Sequence, residues 1–564
     1  MSTGTSLVVP DGFTLHTENT SHLLLSSNEA FLNPVQEFNR DLSVACIRTW
    51  SEELNLLKET RWKQAQEKKA SKANARKRQK VENGDAVATE PAEQEAKDDS
   101  FVSQKKEPQY KPYKPVILEA LSATGLRSIR YAKEIPLVKF ETRNSHETVS
   151  KTFLSRYVIA NDLSSAATAA MKRNVEFNGF DVGDGKIRIN EGDACTLMYN
   201  HREERQRVDV VDLDPYGTAA PFIDAAVQCV NDGGLLCVTC TDLSVLATNN
   251  YPEKCLSNYG GIPVKAEYCH EAALRLVLHA LSTSASRYGR YIEPLLSLSI
   301  DFYVRLFVKV HTSAIGVKKA LTKTSAYFIC TSCQSFYEQP LGRVTEKKHE
   351  ASGNINYNFR THPGPVVSDR CPECESALHI AGPMWSGPIH DTDFVAKVLE
   401  HVEGNPDSYG TSTRMKGMLT VAKEELHTPF YFTPTRVASF FHCQTPSLDE
   451  VASALLHAGY SISRSHATPG SLKTTATRAD LHDIFRSFVK LHPVKLENVS
   501  ETSPARKLLA KEPKAEANFK RHPQSVTASS KVKLVRYQET PQNWGPGSRA
   551  VTGAGSKRKR KAED

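Results

Sequence analysis

The chain has 564 residues, 24% of them charged and 39% hydrophobic, with 72 Lys and Arg against 64 Asp and Glu for a formal net charge of +8. This length predicts two or more domains with sizeable cores. No apolar run is long enough to span a membrane, and the N-terminus lacks the basic start and apolar core of a secretory signal. The twelve cysteines are accordingly read as reduced thiols, some of them held by metal.

Residues 1–60 open with a short β-like stretch, and 33–57 reads as a helix. Residues 61–114 are a charged, low-complexity insertion, expected to be disordered because it is too polar to bury a core; its first part, 61–80, is dense in Lys and Arg. Structure resumes with a short apolar strand over 114–119, helix-like sequence follows Gly125, and 156–162 is a second strand. The stretch 164–177, closed by Asn178-Gly179, is a helix with a C-cap signal. Strands follow over 186–190, 208–213 and 234–239, and this alternation predicts a doubly wound, mostly parallel sheet. A helix is expected over 266–282, and 302–310 alternates with period two, as a half-buried antiparallel strand does. Beyond about residue 318, four cysteines lie in loop-rich sequence, and helical and turn segments then alternate to about Pro493. Residues 494–564 read as a disordered basic tail.

Open α/β sheets bind ligands at the carboxyl ends of their strands, and here four strand ends carry acids. The first strand ends at Glu119, before the loop Ser122-Ala123-Thr124-Gly125, whose single glycine does not match a dinucleotide fingerprint. Asp162 closes the second, where an acid grips ribose hydroxyls. Asp193 and Ala194 follow the third, where an acid accepts from an adenine amine. The fourth ends in Asp214-Pro215-Tyr216-Gly217. Its acid or its proline carbonyl can accept hydrogen bonds from an exocyclic NH2, and its ring can stack on a base. That arrangement suits methylation of an aromatic amine; the bland alternative is a strand followed by an ordinary Pro-Gly turn.

This ordering resembles the class I methyltransferases that use S-adenosylmethionine on amino groups, which carry Asp-Pro-Pro-Tyr or a close variant here. The segments 31–44, 118–135, 208–226, 260–279, 382–391 and 463–476 together resemble the eukaryotic tRNA guanine-26 N2-dimethyltransferases, over roughly residues 10–493. The resemblance implies an α/β, Rossmann-like methyltransferase domain over 1–317 that transfers methyl groups from S-adenosylmethionine to guanine N2 of tRNA. It implies that Asp214 orients, and helps deprotonate, the guanine amine, and that Phe31 stands beside the target base. Arg40 and Arg127 are expected near the cofactor carboxylate, Glu119 at its methionine amine or behind the loop, and Asp162, Asp193 and Ala194 at ribose and adenine. The structural alternatives are a core aromatic for Phe31 and solvated helix residues for Arg127 and Arg130.

Cys330-Thr331-Ser332-Cys333 and Cys371-Pro372-Glu373-Cys374 form two CxxC knuckles of the zinc-ribbon type. They predict a closed, structural Zn2+ site within a smaller α+β domain over 318–493; a redox pair or core cysteines are the alternatives. Cys237 and Cys240 share the CxxC spacing, but a strand points them in opposing directions. A base must be exposed before reaction, which calls for an electropositive surface, and Arg464, His466 and Lys473 are assigned to tRNA contact. The basic stretches 61–80 and 556–561 read as addresses for a nuclear import receptor, the first also as a phosphate contact. The expectation is a nuclear monomer, with a mitochondrial form left open. Rival classes are a noncatalytic RNA-binding protein and an amino-methyltransferase of DNA or protein.

Overall fold

The computed structural model describes residues 8–26, 32–82, 109–135, 157–181 and 185–535. A hairpin of β1 (Phe13–Glu18) and β2 (Ser21–Ser26) leads into α1 (Glu37–Glu82). Next come β3 (Val116–Glu119), α2 (Leu126–Glu134), β4 (Tyr157–Asp162), α3 (Ser165–Phe177) and β5 (Ile187–Glu191). They are followed by α4 (Ala194–Asn200), β6 (Val208–Leu213), α5 (Ala220–Cys229) and β7 (Val230–Cys240). After α6 (Leu243–Leu246), α7 (Pro252–Tyr259) and α8 (Cys269–Ser286), β8 (Arg290–Ile300) and β9 (Tyr303–Thr312) return as an antiparallel pair. These strands make one seven-stranded sheet in the order β5-β4-β3-β6-β7-β9-β8. It is parallel from β5 to β7 and antiparallel beyond. The alternation of apolar strands and capped helices thus predicts the class correctly, down to Ser164, whose hydroxyl caps α3 by accepting from Ala167 N.

Three expectations fail. The first concerns β9, which is buried on both faces because it lies between β7 and β8. Its period-two pattern sorts residues between two cores: Val304, Leu306, Val308 and Val310 face one, while Tyr303 and Phe307 face the other. The second concerns the helix expected over 33–57, which runs on to Glu82 through the first part of the stretch expected to be disordered. Ala, Lys, Gln, Glu and Arg are strong helix formers, so this arm is helical without burying a core. Trp50 Nε1 donates to Gly233 O at 3.2 Å and Asn55 Nδ2 to Tyr113 O at 3.0 Å, both at the amino edge of the sheet. The basic arm therefore projects past that edge, away from the carboxyl ends of the strands. The third failure is the tail. Residues 494–535 fold back, with Ala505 and Leu508 of a short helix (Pro504–Leu509) buried, whereas 536–564 lie outside the described residues.

The remainder contains α9 (Ala314–Ala320), a three-stranded sheet and two hairpins. The sheet has the order β11-β10-β14 and is formed by β10 (Thr324–Cys330), β11 (Phe336–Pro340) and β14 (Leu378–Trp385). One hairpin pairs β12 (Gly342–Lys348) with β13 (Ile355–Thr361). Helices α10 (Thr392–Gly404), α11 (Ser412–Glu424), α12 (Pro434–Phe441) and α13 (Leu448–His457) precede the other hairpin, β15 (Ile462–Arg464) with β16 (Leu472–Thr474); α14 (Arg478–Leu491) and α15 (Pro504–Leu509) close the order. Phe394, Val398, Met415 and Leu419 of α10 and α11 share one core with Leu42 and Trp50 of α1. Packing therefore crosses the boundary expected near residue 318. Among the described residues no helix is long and apolar enough to cross a membrane.

Candidate active site

The chain winds outward from β3 to β5 and then crosses back to β6, beside β3, so the topological switch point opens a crevice at the carboxyl ends of these two strands. Glu119 and Asp212 stand opposite each other in the register there. The loop after β3 turns sharply because Ala123 has φ 45° and Gly125 φ 80°. Gly125 suits this position because of its positive φ, and a side chain there would also crowd Met171, whose Cγ would lie 3.0 Å away. Asp162 Oδ2 accepts from Ala123 N at 2.9 Å and Oδ1 from Ser164 N at 2.9 Å, which fixes the loop against the end of β4. Asn161 Nδ2 donates to Ala120 O at 2.9 Å and Gly192 O at 3.1 Å, tying three strand ends together. Asp193 caps α4 by accepting from Thr196 N at 2.7 Å and lies exposed on the rim, with Ala194 buried beneath it.

A buried cluster of charges fills the floor of the crevice. Arg127 donates to Asp214 Oδ2 and, at 2.9 Å, to Ser43 Oγ; its Nε lies 3.8 Å from Glu119 and 3.7 Å from Asp212. Arg305 donates to Asp212 at 2.8 Å, to Thr239 Oγ1 at 2.9 Å and to the same Ser43 hydroxyl at 2.8 Å. Tyr131 also donates to Asp212. Burial pushes Asp212 up, but Arg305 and Arg127 hold it below the usual carboxylate range. Glu119 goes the other way: burial pushes it up to about 8 against the pull of Arg127, with the Ser128 hydroxyl donating to its Oε2. It is therefore protonated at neutral pH.

Of the residues expected here, Glu119, Arg127, Asp162, Asp193, Ala194 and Asp214 do line these strand ends, and Tyr216 stands 84% exposed beside them. Arg127 and Arg130 are not solvated. Arg130 is fully buried and reaches Asp41 at 2.7 Å and Glu134 at 2.9 Å. Arg40 lies one turn before Ser43, but its guanidinium is engaged by Glu18, at 2.8 Å through Nε, and by Asn33 O at 3.2 Å. Phe31 falls outside the described residues. Sequence reasoning missed Ser43, Tyr131, Asn161, Asp212 and Arg305. The signal for the last two was a charge inside an apolar strand, which survives burial only when paired.

The four cysteine sulfurs lie within 4.8 Å of one another and all four residues are buried. Cys330 and Cys374 Sγ are 3.3 Å apart, and Cys333 and Cys371 Sγ 3.7 Å. A tetrahedron of 2.3 Å zinc–sulfur bonds has edges of about 3.8 Å, so the cluster could hold zinc. The two knuckles also match: Cys330 N donates to Ser335 O at 2.8 Å and Cys371 N to Ser376 O at 2.9 Å, and Gln334 and Glu375 take φ of 54° and 60°. Cys237 and Cys240 point into different cores, as strand geometry requires.

Two RNA assignments are corrected. Lys473 is fully buried, with Glu271 at 3.2 Å and Glu425 at 3.3 Å; His466 is 2% exposed, with Glu425 at 2.6 Å from Nδ1 and its Nε2 accepting from Ser299 N at 3.1 Å. Both are held inside by these carboxylates and cannot present charge to a phosphate. Arg464 is half-buried near the surface.

Comparison with known proteins accords with this geometry. The family described as N2,N2-dimethylguanosine tRNA methyltransferase matches residues 12–486. The chain is 43% identical to the tRNA (guanine(26)-N(2))-dimethyltransferase of Schizosaccharomyces pombe, over 93% of this chain and 90% of that one. It is 40% identical to the Saccharomyces cerevisiae protein of that name designated mitochondrial, over 96% and 93%. Its fold is similar to a solved complex of Trm1 from Pyrococcus horikoshii with S-adenosyl-L-methionine, with a TM-score of 0.57 and 24% identity over 82% of this chain and 97% of that one. A match over most of the chain at such identity is decisive: the chain belongs to the N2,N2-dimethylguanosine tRNA methyltransferase family.

Proposed function

We propose that the crevice between β3 and β6 holds both substrates of this family's reaction. The chain catalyses transfer of methyl groups from S-adenosylmethionine to the exocyclic N2 of guanine-26 in tRNA, giving N2,N2-dimethylguanosine. The observation that carries the placement is Asp214, a partly exposed carboxylate at the end of β6, held by Arg127 at the switch point.

The donor set fits the cofactor. Glu119 and Arg127 present an acid and a guanidinium for the ammonium and carboxylate of its methionine part. Asp162 accepts one amide on each oxygen and keeps lone pairs for ribose hydroxyls. Asp193 and Ala194 line the adenine side, and Arg40 supports this end of α1 through Glu18. Bound there, S-adenosylmethionine supplies a methyl on a sulfonium, already a good leaving group, so the residues mainly position and exclude water. Asp214 accepts from guanine N2–H, which localises the nitrogen lone pair and stabilises the charge that develops on N2. Tyr216 covers a face of the base, and Phe31, outside the described residues, keeps its assignment beside it by family resemblance alone. Liquid chromatography and mass spectrometry of nucleosides, after unmodified tRNA is incubated with enzyme and S-adenosylmethionine, test the reading; it fails if no N2-methylated guanosine appears.

The cysteine cluster is read as a structural Zn2+ site, since four thiolates leave no open position for catalysis. Arg464 remains the surface cation assigned to tRNA. The basic stretches 61–80 and 556–561, the latter outside the described residues, fit a nuclear import receptor, and a mitochondrial pool is supported by the name of one relative. Imaging the tagged chain with and without 556–561 separates these locations.

A further inference from the structure

The segment Asp214-Pro215-Tyr216-Gly217 is an arch between β6 and α5, and both of its feet are tied. Asp214 follows the last residue of β6, and its carboxylate is held by Arg127. At the other foot Gly217 has φ 87°, and a Cβ added there would meet no atom within 4 Å, so the arch faces open space. Thr241, the first residue past β7, holds this foot twice. Its hydroxyl accepts from Gly217 N at 2.7 Å, and its own N donates to Gly217 O at 2.8 Å. The next residues repeat the link. Tyr259 of α7 is buried and donates to Asp242 at 2.8 Å, so its oxygen accepts from the Thr218 hydroxyl, 2.7 Å away. Thr218 Oγ1 in turn accepts from Ala220 N at 3.1 Å, at the start of α5. The clamp is built without Glu119, Arg127 or Asp162, the residues assigned to the cofactor, so it acts on the amine's side of the crevice.

The two methyl transfers of the reaction ask different things of this arch. In each, an N2–CH3 bond forms as the donor's S–CH3 bond breaks, and N2 gives up one proton, which Asp214 accepts and passes to water. Guanine presents two N2–H groups, so in the first transfer an acceptor that has drifted can still meet one of them. Afterwards a single N–H is left, and the new methyl occupies the other place. The second transfer works only when that N–H points at Asp214 while the methyl clears the arch and the lone pair faces the donor. A misplacement of about 1 Å costs on the order of a hundredfold in such reactions. The first step has an alternative arrangement to fall back on, and the second has none.

We infer that Thr241, backed by Tyr259, is a positioning residue that sets the arch for the second methylation, and so decides how much N2-methylguanosine goes on to N2,N2-dimethylguanosine. This rests on the guanine-26 reading above. Thr241 acts through the Gly217 peptide, which fixes where Asp214 and Tyr216 stand, and not on the reacting atoms.

Thr241→Val keeps the shape of the side chain but removes the acceptor for Gly217 N, and Thr241→Ser restores it. Tyr259→Phe cuts the link between Thr218 and Asp242. The full-length variants and the wild type are assayed in single turnover with S-adenosylmethionine on two tRNAs. One is an unmodified transcript, and the other is synthesised with N2-methylguanosine at position 26. Nucleosides are quantified by mass spectrometry, beside melting temperature and S-adenosylmethionine affinity, which should both hold. Thr241→Val should slow the second transfer by roughly tenfold to a hundredfold and the first by about threefold or less. Thr241→Ser should stay within about twofold of wild type on both tRNAs, and Tyr259→Phe should shift the ratio of the two rates as Thr241→Val does, by less. Wild-type rates in Thr241→Val, a Ser variant as slow as the Val variant, or an equal loss on both tRNAs overturns the inference. A lower melting temperature with the ratio unchanged makes the clamp purely structural and overturns it too. Absence of any N2-methylated guanosine from the wild type on unmodified tRNA would instead fault the guanine-26 reading itself.

Discussion

Glu119 should make cofactor binding strongly pH-dependent. Its carboxyl is pushed up to about 8 by burial, with Arg127 and Ser128 pulling it down and Asp212 adding to the rise. An ammonium group binds the ionised form only. With a midpoint of about 8, half the sites are ionised at pH 8 and about 1% at pH 6. Affinity for S-adenosylmethionine should therefore fall about 50-fold between pH 8 and pH 6, close to tenfold per unit at the acid end. Calorimetry in buffers of different ionisation heat should show nearly one proton released on binding at pH 6.5. Glu119→Gln should flatten the profile, and comparing the two proteins cancels titration of the ligand. Stability runs the opposite way: between the unfolded value of 4.5 and about 8 the native state alone keeps the proton, so this group's contribution to stability falls as pH rises through that window. Identical pH profiles for wild type and Glu119→Gln would refute the assignment.

Asp214→Asn should lose two to three orders of magnitude in methylation rate, about the loss of one key polar contact, while cofactor affinity changes little; near wild-type turnover would remove Asp214 from the chemistry. Elemental analysis should find one zinc per chain, and Cys371→Ser should abolish it and expose the α12–α14 region to protease, because these cysteines share a core with Phe441 and Phe485. Lys473→Met should destabilise the fold by about 3–5 kcal/mol, the usual cost of stranding buried carboxylates, yet leave the salt dependence of tRNA binding unchanged; a stable variant with a shallower salt slope would return Lys473 to the RNA surface. Exchanging Lys68, Lys69 and Lys72 for Gln should leave melting temperature and kcat at saturating tRNA unchanged, since the α1 arm projects from the opposite edge; a lower kcat would place the arm at the pocket.

The parallel strands were legible because strands buried on both faces read as apolar runs, and the acids at their carboxyl ends because they follow those runs directly. What the sequence hid depends on contacts distant along the chain. Lys473 looks like any thinly spread basic residue, and its partners Glu271 and Glu425 lie 202 and 48 positions away. The folded tail has few apolar anchors, so its composition reads as disorder, although Leu508 is buried against the C-terminal helices. Arg305 suffered from the period-two reading of β9, which assigned its face to solvent when Asp212 in fact draws it inside.

That last miss bears on how the pocket works. Arg127 and Arg305 face Glu119, Asp212 and Asp214, so with Glu119 protonated the cluster is neutral and can be buried without a metal or a counter-ion. Ser43 sits between the two guanidiniums as a shared acceptor, and its own hydroxyl donates back to Asn39 O at 2.5 Å. A ligand with net positive charge, as a sulfonium cofactor has, brings the cluster to neutrality once Glu119 ionises, whereas the product, which keeps the ammonium but not the sulfonium charge, leaves it one charge negative. The floor of the crevice is thus balanced to favour the methyl donor over what remains after transfer, a preference fully developed above about pH 8, where Glu119 is ionised before either ligand binds.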